Sequence, residues 1–161
     1  MGTAIAAIIL DQLSKLLITG WLGPASEQHR LEIWEPVVRL EYARNSGAAF
    51  GLFGGQGILL SAVALVIIAG LLIAARRQAV QGPWQMVGMG LLIGGALGNL
   101  IDRLRLGYVT DFIDVGPWPT FNLADSAITI GIVLVVGLGF RENTAHKPRR
   151  TEADRDTDAL D

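Results

Sequence analysis

At 161 residues the chain has room for one domain, with 51% apolar residues, 17% charged residues and a mean hydropathy of +0.44. The lack of cysteine excludes disulfide staples, thiolate catalysis and cysteine-ligated metal. A net charge of −2 decides little, because the charges crowd between four long apolar stretches instead of recurring along each of them. A soluble core would spread them periodically, so the pattern is that of a membrane protein.

In chain order, the first span covers about residues 3–22 and carries Asp11 and Lys15. It has no basic residue ahead of it and runs past the length of a signal-peptide core, so it is read as retained. Gly2 does not fit a myristoylation signal, because Ala6 stands where Ser or Thr is needed. Residues 23–56 form a long external segment in which Leu31–Glu35 and Val37–Tyr42 read as short strands split by Pro36. Trp21 and Trp34 suit the headgroup level of a bilayer. The remaining spans are about 57–75, 84–101 and 121–140, with a second external segment at 102–120. Each is near the roughly 20 residues that cross a bilayer of about 30 Å. The pair Arg76-Arg77, followed by Gln78, and the tail Lys147-Pro148-Arg149-Arg150 place one side, with both termini, in the cytoplasm. In the third span Gly90, Gly94 and Gly98 make a small-residue stripe suited to close helix approach, and it continues to Asp102.

The expectation is therefore a membrane all-α protein: four transmembrane helices with a small extracytoplasmic (periplasmic) β-sheet lying on the outer leaflet. Residues 1–141 form a single domain, and 142–161, rich in charge and poor in large apolar residues, form a disordered cytoplasmic tail.

A carboxylate beside hydrocarbon is costly and calls for a named partner. Asp11 and Lys15, at i and i+4, share a helix face and read as an internal ion pair. The sharper alternative, a lysine base working with Ser14, suffers because adjacent helical residues point about 100° apart. Asn99, Asp102 and Arg103 cluster at the end of the third span, either as an interfacial helix terminus or as a polar cradle for a catalytic carboxylate. Asn122 suits the cap of the fourth helix. Asp125 lies in its first turn, where the plainer reading is interaction with the helix dipole. Asp111, with Asp114 three residues on, lies among Val109, Phe112, Ile113 and Val115, which should hold it to the membrane surface. Asp102, Asp111 and Asp125 then converge on one pocket. Two close carboxylates share a proton, so one can activate water while the other polarises a carbonyl. His29 and His146 lie far apart in polar segments, so no Ser-His-Asp triad is available and a metal would rest on carboxylates and amides alone.

The ordered set Asp11-Gln12-x-x-Lys15, Arg44-Asn45-Ser46-Gly47-Ala48-Ala49-Phe50-Gly51, Gly94 through Arg103, Val109-Thr110-Asp111-Phe112-Ile113 and Phe121 through Ser126 closely resembles the bacterial lipoprotein signal peptidases (signal peptidase II). The match runs from residue 11 to about 128. The resemblance implies a four-helix inner-membrane aspartyl endopeptidase that cuts prolipoproteins before a diacylglyceryl-modified cysteine. It implies no metal and no cofactor. The catalytic pair falls on Asp111 and Asp125. Asn45, Asn99, Arg103 and Asn122 fall on polar positions lining the substrate site. Asp102 also matches a motif position and is given a structural role, pairing with Arg103 or nearby backbone. The expected partners are prolipoproteins and membrane lipids, not nucleic acid, and the expected state is a monomer. The acidic tail from Glu152 matches nothing in the family. The alternative function is a small proton- or ion-coupled transporter using the same carboxylates, although a relay would spread them through the membrane depth.

Overall fold

The computed structural model describes residues 1–26, 30–47, 62–70, 73 and 82–145. His29, the Ala48–Phe53 stretch, the Arg76-Arg77-Gln78 connection, both ends of the second expected span and the tail from His146 onward lie outside the described residues.

Helix α1 spans Gly2–Leu22 and stops just before Gly23-Pro24, where the proline ring cannot continue the helical ladder. Its burial is inside-out. Asp11 and Lys15 face the protein with Ala4, Ile18 and Leu22, while Ile5, Ile9, Leu10, Leu13, Leu16 and Leu17 are exposed. Water would reverse that arrangement; hydrocarbon favours it. Residues 62–70 form a helical segment, α2. Helix α3, Pro83–Leu106, has proline in its first turn, Arg103 and Arg105 in its last, and ends at Gly107 in the left-handed conformation (φ 79°). It therefore extends past the end expected at residue 101. Helix α4 spans Leu123–Ala145, reaching into the segment expected to be tail. Among the described residues, α1 and α3 are long and apolar enough to cross a membrane, and Leu123–Gly137 is a shorter apolar helix.

The strands form one antiparallel sheet in the order β1-β2-β3, with β1 at Arg30–Trp34, β2 at Val38–Asn45 and β3 at Val109–Val115. The first two strands fall where the sequence predicts them, whereas the third lies in the external segment 102–120, for which no strand is predicted. Val109-Thr110-Asp111-Phe112-Ile113-Asp114-Val115 is rich in β-branched and aromatic residues, and a partner edge makes such a run a strand. β1 is exposed along its length, whereas β3 is almost wholly buried. Arg39 pairs in register with Asp114 and forms a salt bridge with it. A bulge on β2 between Leu40 and Ala43 precedes the pairing of Ala43 with Asp111. Ile18, Leu22 and Phe112, with Leu40, Tyr42 and Ile113 against them, seat the sheet on the end of α1.

Helix α3 is the centre of the helical packing, and its glycines work on two faces. A Cβ on Gly94 would meet the Ala4 carbonyl oxygen and the Ala7 Cβ, each at 2.7 Å, so α1 rests on this face. A Cβ on Gly95 would meet the Ala124 carbonyl oxygen at 2.5 Å, so α4 rests on the other. Gly94→Ala must part α1 from α3, and over-packing of this kind costs about 1–3 kcal/mol. Thermal unfolding in detergent should show a lowered midpoint for Gly94→Ala, while Gly137→Ala, which meets nothing within 4 Å, should not lower it.

Candidate active site

Asp111 reaches the site from the middle of β3, and Asp125 from the first turn of α4. Phe121 links the two elements: its N–H donates to the Ile113 carbonyl (3.0 Å), and its own carbonyl accepts from Ile113 N (2.8 Å) and Phe112 N (3.0 Å). The next residue, Asn122, caps α4. Its side-chain Oδ1 accepts from Asp125 N (3.0 Å), and its backbone N–H donates to Asp125 Oδ2 (3.2 Å). This is a reciprocal capping box. Asp125, expected in the carboxylate pair with a helix-dipole interaction as the plainer reading, also closes this box three residues after the cap. Asn122 then bridges to the other carboxylate, because its Nδ2 donates to Asp111 Oδ1 at 2.6 Å.

Two more amides face the pair. Asn45 Nδ2 donates to Asp111 Oδ2 (2.8 Å), and Asn99 Nδ2 donates to Asp125 Oδ1 (2.8 Å). In each case a group that can only donate fixes the amide's orientation. Gly47 N faces Asn45 Oδ1 at 2.9 Å, and Lys15 Nζ faces Asn99 Oδ1 at 3.0 Å. Burial pushes the Asp111 carboxyl above the ordinary aspartate range. The Asn45 and Asn122 hydrogen bonds oppose that shift, the nearby Asp125 charge adds to it, and Lys15 opposes it weakly.

Behind the pair lies a buried ionic cluster. Lys15 Nζ is 2.9 Å from Asp11 Oδ2 and 3.0 Å from Asp102 Oδ2, with all three side chains at most 5% exposed. Asp11 Oδ1 also accepts from Ala124 N (3.0 Å), satisfying one of the first amides of α4. Asp102 Oδ2 accepts from Thr110 N (3.1 Å), and its Oδ1 accepts from Gln12 Nε2 (3.0 Å). The expected backbone contact of Asp102 is therefore present, but its charged partner is Lys15 instead of Arg103. The reason is helical geometry: adjacent residues diverge by about 100°, so Arg103 turns away from Asp102. Ser14 Oγ donates to the Asp11 carbonyl at 2.8 Å and has no contact with Lys15 among the described hydrogen bonds. Gln12 carried no role in the sequence reading. It donates also to the Gly98 carbonyl (3.2 Å), a contact 86 residues away that no local pattern reveals.

Asp125 borders two apolar cavities. One, of about 230 Å³, is lined by Val63, Ala64 and Ile67 of α2, by Leu92, Ala96, Asn99 and Arg103 of α3, and by Ile128. The other, of about 380 Å³, is lined by Trp118, Phe121, Ser126, Thr129 and Ile130. Among the described residues, no three His, Cys, Asp or Glu side chains converge as metal ligands.

A carboxylate pair joined through Asn122, with Asp125 at the mouths of two apolar clefts on a helical core with a lipid-suited exterior, fits a membrane enzyme, and the chain resembles solved structures of that class. Two chains described as bacterial membrane enzymes determined by the in meso method superpose with TM-scores of 0.78 and 0.75, at 29% and 31% identity. The first covers 92% of both chains, the second 84% of this chain and 88% of the other. The signal peptidase (SPase) II family profile matches residues 3–141, and the chain belongs to this family of peptidases. It is similar to the lipoprotein signal peptidase of Halothermothrix orenii, at 43% identity over 80% of this chain and 86% of that protein. It is similar also to that of Syntrophomonas wolfei, at 42% over 84% and 88%. A transporter role finds no support in these likenesses.

Lys15→Met would leave Asp11 and Asp102 buried without their cation. Breaking a buried ion pair from one side costs about 3–5 kcal/mol. Thermal unfolding of the purified variant in detergent should show a loss of that order, well beyond the loss from an exposed substitution.

Proposed function

We propose that the chain is an aspartic endopeptidase of the inner membrane that removes signal peptides from prolipoproteins, cutting before the diacylglyceryl-modified cysteine. The observation that carries this reading is the placement of Asp111 and Asp125 on opposite arms of one residue, Asn122, with Asp125 at the mouth of two apolar clefts. A lipid-modified substrate needs apolar room on both sides of the scissile bond, and a peptide carbonyl needs an acid and a base at close range.

In the proposed reaction Asp111, the more enclosed carboxyl, holds the proton and donates a hydrogen bond to the scissile carbonyl oxygen. Asp125, open to the clefts, takes a proton from the attacking water as its oxygen bonds to the carbonyl carbon. That proton then passes to the cysteine nitrogen as the C–N bond breaks, and the new carboxyl end leaves with the signal peptide. Asn45, Asn99 and Asn122 hold the pair, and Arg103 contributes a polar wall of the smaller cleft. Asp102, Asp11 and Lys15 form the structural ion cluster. We read the working state as a monomer, and the chemistry as written needs no metal or cofactor.

We place four helices across the membrane, with both termini cytoplasmic and residues 1–141 as one domain. The sheet then lies at the outer surface, where exposed Trp21, Trp34 and Trp118 suit the headgroup layer.

Purified protein in detergent should shorten a lipid-modified prolipoprotein. Asp111→Asn and Asp125→Asn should each lower turnover by about 10²–10⁴-fold or more while the protein stays folded. Near-normal turnover in Asp111→Asn with loss in folded Asp102→Asn would assign the pair wrongly. Alkaline pH should lower activity as Asp111 loses its proton. Asn45→Ala removes a bond that favours the ionised Asp111, so Asp111 keeps its proton longer and the alkaline limb of the pH–rate profile should move to higher pH.

A further inference from the structure

One polar cluster stands outside both the carboxylate pair and the buried ions. The Tyr42 and Tyr108 hydroxyls lie 2.9 Å apart, joining residues 66 positions distant in sequence. Arg44 Nε donates to Tyr42 Oη at 3.1 Å, and its guanidinium lies 5.0 Å from the Tyr108 ring centroid and 5.8 Å from that of Tyr42. Both distances are within cation–π range. None of these side chains reaches either active-site aspartate.

Their position in the chain gives the cluster its meaning. Arg44 directly precedes Asn45, the donor to Asp111 Oδ2, at the last residue of β2. Tyr108 lies between the left-handed Gly107 that ends α3 and Val109 that opens β3, and Val109 is the register partner of Asn45. The cluster therefore joins the open end of β2 to the α3–β3 corner. Among the described residues β2 has no sheet partner beyond it, and the bulge between Leu40 and Ala43 has already interrupted the ladder upstream. Ladder bonds alone hold a strand end weakly. An aromatic pair with a stacked guanidinium and two hydroxyl-centred hydrogen bonds is a second restraint at the point where Asn45 must stay within 2.8 Å of Asp111.

We infer that Tyr42, Arg44 and Tyr108 form a positioning clamp that holds Asn45 on Asp111 and so acts on the reaction without touching substrate. The inference rests on the proposed role of Asp111. The hydroxyl pair fixes the separation of the two strand ends, and the guanidinium, stacked on both rings, limits their rotation. Charged groups that bear on Asp111 itself are Asp125 from α4 and Lys15 from α1, and the clamp changes neither.

The test uses the full chain in detergent and a synthetic peptide carrying a diacylglyceryl-cysteine. Tyr108→Phe and Tyr42→Phe each keep the ring and remove one hydroxyl. Tyr108→Phe loses one neutral hydrogen bond and should lower kcat about threefold to tenfold, and Tyr42→Phe, which also loses the bond from Arg44, should lower it at least as much. KM should stay nearly unchanged, and the alkaline limb should move upward, as in Asn45→Ala. In an Asn45→Ala background, Tyr108→Phe should have almost no further effect on kcat or on the limb, since both act through one contact. A lowered melting midpoint with unchanged kcat and limb would make the cluster a structural brace only and overturn the clamp. Additive effects in the double variant would overturn it as well. If Asn45→Ala alone leaves the limb in place, the role given to Asp111 fails, and the clamp fails with it. Should Tyr108→Phe not fold, Tyr42→Phe decides by the same measurements.

Discussion

The Lys15 ammonium is the constraint on which the other elements depend. Its contacts go to Asp11, Asp102 and Asn99, so its donors are spent on groups from α1 and α3. Each carboxylate then uses a further lone pair on the backbone of another element: Asp11 on Ala124 N at the start of α4, Asp102 on Thr110 N in β3. One buried cation thus fixes where α4 begins and where β3 leaves the helical core. Burying such ions is costly, and they are tolerated only when nearly every polar atom is matched. Among the described residues, no buried side-chain nitrogen or oxygen lacks a partner.

From that cluster the order passes outward through amides. Asparagine presents an acceptor and donors on one rigid plane, so anchoring its oxygen aims its nitrogen. Lys15 anchors Asn99, the Asp125 amide anchors Asn122, and Gly47 N anchors Asn45; in each case the free donors face Asp111 or Asp125. Aspartate has nearly the same shape as asparagine but no N–H to offer, so the substitution would put like charges together where the native side chain donates. The choice of residue is therefore a matter of donor count more than of size.

Much of this was legible from the chain. The apolar spans, the shared face of Asp11 and Lys15, the glycine stripe and the motif residues at the helix ends can be read from spacing, because helical period makes neighbours three and four apart predictable. What spacing could not supply was the identity of partners far off in sequence. Asp102 next to Arg103 suggests a pair, yet its ion partner is Lys15 on another helix, and Gln12 reaches Gly98 and Asp102 across the same interface. β3 was missed for a related reason. A strand between two helices shows itself only through the edge it joins, here β2, more than sixty residues upstream.

The two carboxylates have the same chemistry and opposite surroundings. Asp111 is buried within β3, and its desolvation is opposed by the amide hydrogen bonds from Asn45 and Asn122 and, less, by the charge of Lys15. Asp125 stands at the first turn of a helix and borders both cavities. Sequence-identical side chains are thereby made unequal by where the backbone puts them, which is what a reaction needing one acid and one base demands. That inequality comes from Asn122: as helix cap it sets the turn that opens Asp125 to the clefts, and as amide donor it holds Asp111 back within the sheet.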